Sequence, residues 1–566
     1  MMRFTRFIAV ASLVGGLAAC KDVVAVDNVN NPDRERTLRR PSDVEAVGSS
    51  QFQQVIDGTI GSIARVNTGM LTAAFENASA LANNGLGPRS AIPRGSIGNN
   101  RGNAYAGENF ATFRILSFAA RAESDVLVRA KAPGFTLGTT AGDEQRLRAF
   151  AHFVHGVAIG YLAMTYDSLG VPRPEDVTTQ VQPLESYKSA ATYALSELDS
   201  ALAYANMTGT TALPAGWLTG PGGATVPAVR FAQVIRSFRA KIRAGIARDP
   251  AERASVDWAK VIADATQGIT SDLVIQMNPS QGWNYDWLDT GLHFRDANWH
   301  QMTYYIIGMA DSSGAYDAWL ATDRDNRTPF LIQTADLRYP QGSTRAAQQE
   351  AVADAPLTRT NQYFRNRPPG EDQAGIGWRA SWYDHYRFRL FANNKTSGAP
   401  LPFFTVAEND MLAAEGYIRT GNIPAAAALI DKTRVNAGLP RLAGLITTAT
   451  QPVPGGTTAN PVPGAASCVP RVPQPPNFTS TACGNIFEAM KWEKRMETAY
   501  TTFGAWWFDS RGWGDLPEGS PTQWPVPFQE LDARVKPIYD LGGPGSSSAA
   551  KPSTYGFGSS INNKNL

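Results

Sequence analysis

Residues 404–440 constrain this chain more than any other stretch. Val406, Met411, Leu412, Tyr417 and Ile418 recur near helical spacing among alanines. After Thr420-Gly421-Asn422-Ile423-Pro424 the pattern resumes with Ala425, Ala428, Leu429, Lys432 and Val435. Gly421 suits the positive φ of a tight reversal, Pro424 suits a first helical turn, and Gly438 stops the second helix. Small residues on both helices let the pair close tightly. A hairpin of this kind cannot bury its apolar face alone and must stack on further copies. Such stacks usually bind; they rarely perform chemistry.

Further copies are readable upstream. Leu147, Phe150, Val154, Val157, Tyr161 and Leu162 mark one helix, ended by Gly170-Val171-Pro172. Leu184, Tyr187, Ala191, Leu195, Leu198, Leu202 and Ala205 mark its partner. Phe231, Val234, Ile235, Phe238, Ile242 and Ile246 pair in the same way with Trp258, Val261, Ile262, Ala265 and Ile269. Earlier helices are expected from Ser42-Asp43 onward, over 69–81 and over 107–131, and a last one over 485–503. The fold class is therefore mainly α, with four tetratricopeptide-like hairpins in an array and a loop-rich second lobe. Repeats are expected over about 42–269 and 404–515, with an excursion over 270–403, all in a single domain spanning 42–541. Beyond it, residues 542–566 read as a flexible Gly/Ser-rich tail.

The N-terminus is a targeting segment. Arg3 and Arg6 precede an apolar run over 7–17 that is too short for a stop-transfer helix. Leu17-Ala18-Ala19-Cys20 closely resembles the bacterial lipobox, in which cleavage precedes the cysteine and that cysteine is lipidated. Residues 1–19 are thus expected as a signal peptide, Cys20 as the lipidated residue and 20–41 as a tether. Lys21-Asp22 resembles the start of surface-exported lipoproteins. No other segment reads as a membrane span. Cys468 and Cys483 flank a proline-rich loop, and in an oxidising compartment they are expected to form a disulfide. With 52 Lys plus Arg against 50 Asp plus Glu, the chain lacks the basic excess of a dedicated nucleic-acid binder.

The excursion is rich in rings. Four of the thirteen tryptophans, Trp283, Trp287, Trp299 and Trp319, crowd one stretch, and Trp378 and Trp382 follow with Tyr383 and Tyr386. Flat rings match the C–H faces of sugars, while Asn, Asp and Arg satisfy hydroxyls. Trp283, Trp287, Trp299, Trp378 and Trp382 are the candidate ligand contacts. Asn99, Asn100 and Tyr105 join them from a loop over 83–104 that carries seven glycines or prolines. The competing reading is that these rings fill a core, as expected for Trp506 to Trp513.

The order of these segments resembles the RagB/SusD family of nutrient-binding outer-membrane lipoproteins. The blocks that carry the resemblance are Leu147 to Pro172, Phe231 to Ile246, Glu415-Gly416-Tyr417 with Gly421-Asn422, Lys432 to Pro440, and Glu493-Lys494-Arg495-Met496-Glu497 with Trp506 to Trp513. Glycine at 416 departs from the usual alanine, the ending Asn562 to Leu566 is a partial echo, and the loop between the cysteines looks like an insertion. The resemblance implies a lipid-anchored protein on the outer face of the outer membrane. It would capture a glycan, or a peptide, for a SusC-like TonB-dependent barrel, without enzymatic activity.

His152 and His155, three apart on one helix, are a possible metal pair lacking an evident third ligand. Asp323 to Arg327 lacks the glycine and distal glutamate of a calcium loop and reads as a salt-bridged turn. Glu493 and Glu497 suit ion pairs better than glycoside hydrolysis. No phosphate-cradling loop, metalloprotease helix or serine elbow is present. The expectation is no metal and no cofactor. A repeat scaffold for protein assembly and a secreted glycan-degrading enzyme stand as alternatives.

Overall fold

The periodic segments become helices whose apolar faces meet in one continuous array. The computed structural model describes residues 38–78, 89–176, 180–289, 301–350, 362–368, 378–388, 390–391 and 398–557. The signal peptide, Cys20, most of the tether and Trp299 lie outside the described residues.

Helices α1 (Pro41–Thr59), α2 (Val66–Ala73), α3 (Ala106–Ala130), α4 (Ala141–Thr165), α5 (Tyr187–Ala205), α6 (Ala228–Gly245), α7 (Pro250–Ala254) and α8 (Trp258–Thr266) precede the excursion. Helices α9 (Val406–Arg419), α10 (Ile423–Arg434), α11 (Ile486–Thr498) and α12 (Ala505–Trp513) follow it. Neighbours pack in chain order: α1 on α3, α3 on α4, α4 on α5, α5 on α6, α6 on α8, α8 on α9, and α9 on α10 and α11. Every apolar residue that marks α4 is fully buried. The expectation that no other segment reads as a membrane span is corrected by length and composition, since α4 is long and apolar enough to cross one, but it is buried in the array's own core.

The hairpin over 404–440 forms as its residues dictate. Thr405 Oγ1 accepts from Glu408 N at 3.0 Å and caps α9, Gly421 turns at φ +83°, and Asn422 Oδ1 accepts from Ala425 N at 3.3 Å and caps α10. The unusual Gly416 now has a reason. A Cβ there would stand 2.6 Å from Ile262 Cγ1 of α8, so the missing side chain lets α8 and α9 approach. Gly416→Ala gains helix propensity but overpacks this contact; a net loss of about 1 kcal/mol is expected in a denaturant midpoint series.

The excursion has a closed neck. Strand β1 (Leu273–Gln276) pairs antiparallel with β2 (Pro400–Phe404), Ile275 opposite Leu401, and Met277 N donates to Ala399 O at 3.1 Å. Beyond the neck lie short helices and a small ladder of 364–366 against 383–385. The lobe is fastened to the array by Arg338. Its guanidinium meets Asp336 at 2.8 Å, Glu493 at 2.9 Å and Glu497 at 3.3 Å, so the two glutamates of α11 serve as ion-pair partners.

Two expectations change at the C-terminal side. The proline-rich stretch between α10 and α11 folds into two small hairpins, 454–456 with 461–463 and 471–473 with 481–483, and Cys468 and Cys483 are disulfide-bonded across it. The flexible tail is corrected for 542–557. Leu541 and Gly542 pair with Ile97 and Ser96, and Tyr555 and Phe557 are buried, Phe557 lying 5.0 Å from Tyr305 ring to ring. Its glycines and serines suggested a tether, but two rings near its end anchor it in the core.

Candidate functional site

A cleft is built by the segment ahead of α3, from Arg89 to Tyr105. Asn103 organises its last turn: Nδ2 donates to Gly98 O at 2.5 Å, while Oδ1 accepts from Tyr105 N at 3.0 Å and leads into α3. Arg94 N donates to Glu518 O at 2.8 Å, and Ser96-Ile97 pair with the C-terminal segment, so the loop is tied at its middle. Between it and the array lies a cleft of about 330 Å³. Val66, Gly69 and Ala73 of α2 form one wall, the first turn of α3 another, and Pro521 and Trp524 close it from a distant loop.

Charge in the cleft is uneven. Arg89 Nη2 meets Glu108 Oε2 at 2.6 Å, and its guanidinium lies 5.1 Å from the Tyr105 ring centre. Burial raises the Glu108 carboxyl above its ordinary range, against the pull of Arg89. Arg94 is 2% exposed, donates to Thr72 O at 2.9 Å and Ala91 O at 3.1 Å, and lies 4.8 Å from the Phe75 ring. Burial, assisted by Arg379, brings Arg94 down to about 9. Behind it, Phe75 stacks on Tyr305 at 4.9 Å and meets Trp378 edge-on at 6.0 Å.

Only part of the sequence-derived ligand set gathers here. Tyr105, half-buried, lines the cleft. Asn99 also lines it, but as a staple: its Nδ2 donates to Val526 O at 2.8 Å and its Oδ1 accepts from Phe528 N at 2.9 Å. Asn100 is exposed and closes a turn onto Gly102 N at 2.9 Å. Three of the tryptophans, Trp283, Trp287 and Trp378, are corrected to core positions. Trp283 packs 6.4 Å from Phe52, Trp287 is 2% exposed, and Trp378 is buried between Phe75 and Tyr305. Their faces are already covered, so they offer a sugar no platform. Trp382 is half-buried, with the Arg345 guanidinium 4.4 Å from its ring centre.

Sequence reasoning missed Arg89, Arg94, Glu108, Asn109 and Trp524. Two arginines inside a glycine-rich loop just before a long helix were a usable signal. Trp524 had none, since its position depends on a backbone bond to Thr165 O at 2.8 Å. The histidine pair turns inward: His152 Nδ1 and His155 Nδ1 lie 2.7 and 3.0 Å from Glu197 Oε2. Burial opposes ionisation of Glu197, yet the two imidazoles hold its carboxyl well below the usual range. Among the described residues, no group of three or more His, Cys, Asp or Glu is placed to hold a metal. Arg324 and Asp325 pair at 2.9 Å within the expected salt-bridged turn.

No protein-family model matches the chain, and no curated protein matches it. Solved structures do. A SusD superfamily protein from Bacteroides thetaiotaomicron is 13% identical, with 88% of this chain and 97% of that chain covered at a TM-score of 0.51. A SusD homolog from Parabacteroides distasonis is 14% identical over 82% of this chain and 84% of its own, at 0.47. A laminarin-binding SusD-like protein is 12% identical over 89% and 99%, at 0.44. At 0.51 the first of these gives the chain the SusD-type fold, a mainly helical array with a looped lobe. At such identities the likeness speaks for architecture alone.

Proposed function

We propose that this protein captures an oligosaccharide, with a peptide as the alternative ligand, and passes it to a SusC-like TonB-dependent barrel. It acts without catalysis, from the outer surface of the outer membrane, held by lipid on Cys20. The observation that carries the reading is the cleft, where the Tyr105 ring and Trp524 stand beside guanidinium and amide groups on a rigid helical frame. That mixture of apolar face and directional donors is what a sugar requires. The lipobox-like sequence and the segment order support the anchor and the partner.

Immobilised glycans and peptides are expected to retain the purified protein. Tyr105→Ala is expected to weaken retention about fivefold to tenfold, the loss of roughly 1 kcal/mol of ring contact, with unchanged thermal stability. No retention by any glycan or peptide sinks the reading, as does full binding by a folded Tyr105→Ala protein. Extraction from membranes is expected to bring a large barrel with it, and Cys20→Ser is expected to release the protein from the membrane fraction.

A further inference from the structure

We infer that the cleft takes an acidic sugar, a unit bearing a carboxylate beside ring hydroxyls, held between Arg89, Arg94 and the amino end of α3. The inference rests on the capture reading and narrows its ligand. The lining holds two guanidiniums and one carboxylate, that of Glu108. Glu108 engages only Nη2 of Arg89; the buried Nη1 has no hydrogen-bond partner. Arg94 is buried on two carbonyls and a ring, without a carboxylate, and its Nε has no partner. Arg379 adds positive charge nearby rather than neutralising it. A buried guanidinium in that state is costly until an anion arrives.

The third element is α3 itself. It is 25 residues long, Tyr105 gives it no side-chain cap, and its first turn, Ala106, Glu108 and Asn109, lines the cleft. The positive end of its dipole therefore adds to the two arginines. A bare anion meets only part of this demand. Asn109, 4% exposed, presents Oδ1 as an acceptor with no donor, while its Nδ2 is held by Pro525 O at 3.1 Å. A uronic acid carries both halves of the complement: a carboxylate for the guanidiniums and a hydroxyl to donate to Asn109. A neutral sugar lacks the first, and a fully deprotonated anion such as sulfate lacks the second.

The test compares oligogalacturonides, oligomannuronides and glucuronate-bearing xylo-oligosaccharides with their own methyl esters, by calorimetry on the full chain. At least one acid form is expected to bind about tenfold tighter than its ester, as charge-assisted hydrogen bonds imply, with the advantage shrinking as salt rises. Arg89→Gln is expected to remove the advantage while ester binding persists. Glu108→Gln is expected to enlarge it, because Glu108 competes for Arg89. Equal binding of acids and esters overturns this inference and leaves capture standing, and preferential binding of sulfated sugars or acidic peptides overturns it too. An acid advantage that survives Arg89→Gln also overturns it. No binding by any acid or ester overturns this inference, and only the further failure of every glycan and peptide overturns capture as well.

Discussion

Replacing Glu415 by alanine is expected to cost about 3–5 kcal/mol of stability, a large share of what a domain of this kind has to lose. Glu415 lies at the meeting of four helices. Arg253 of α7 donates to it through Nε at 2.9 Å and Nη2 at 2.5 Å, Arg419 through Nε at 2.9 Å, and Trp513 of α12 through Nε1 at 3.2 Å. Asp509 takes a further Arg253 bond at 3.0 Å and pairs with Lys494 of α11 at 2.7 Å. Removing the carboxylate leaves the fully buried Arg253 short of charge, and the desolvation already incurred is no longer offset. Glu415→Gln keeps an acceptor and is expected to lose less. Burial works against ionisation of Glu415, but the cations around it, Arg253 foremost, hold its carboxyl down to about 2 from 4.5. Its folded value is depressed, so the stability it contributes is present above 4.5 and fades as pH falls toward 2. Urea midpoints across that window check both statements; a loss under about 1 kcal/mol for Glu415→Ala would show that the pair is marginal.

Arg338→Leu is the second large effect, again about 3–5 kcal/mol. It strands Asp336 and Glu493, both fully buried, with Arg434 at 3.8 Å from Glu493 and the Trp492 Nε1 at 3.1 Å from Asp336 as remaining support. Burial already raises Glu493 above its ordinary range while Arg338 opposes it. Without the arginine the folded value of Glu493 climbs further above its unfolded one. An acid raised on folding contributes stability that is lost as pH increases, so the deficit of the variant is expected to shrink on going from about pH 8 to about pH 5. A deficit independent of pH would mean that Arg338 acts through packing alone. Proteolysis is expected to nick the lobe first, because Arg338 is its main charged fastening to α11.

These two clusters show what a linear reading can and cannot reach. Periodicity marks the helices because each apolar stripe is local, and Gly421 and Pro424 announce their turn for the same reason. Glu415, Glu493 and Arg495 were visible as a pattern, and the ion-pair reading of Glu493 and Glu497 follows from a helix that also carries cations. Their partner Arg338 was not visible, since 155 residues separate it from Glu493. The ring-rich stretch misled for a related reason. Tryptophan suits a sugar platform and a core equally, and only the exposure of each face decides, which composition does not encode. The cleft has the same difficulty: α2, the arginine loop, the start of α3 and Trp524 are brought together by tertiary contacts alone.

The ladder of β1 with β2 has a bearing on how such a chain diversifies. Residues 277 and 399 leave it side by side, and β2 runs straight into α9 through the Thr405 cap. Whatever is spliced between those two positions meets the helices at one fixed gate, so loops there that make no packing with the array can lengthen or shorten while the helices keep their places. A transplanted lobe would need its own counterpart of Arg338 and of the rings that seat it on the array, Trp283 against Phe52 and Tyr305 against Phe75.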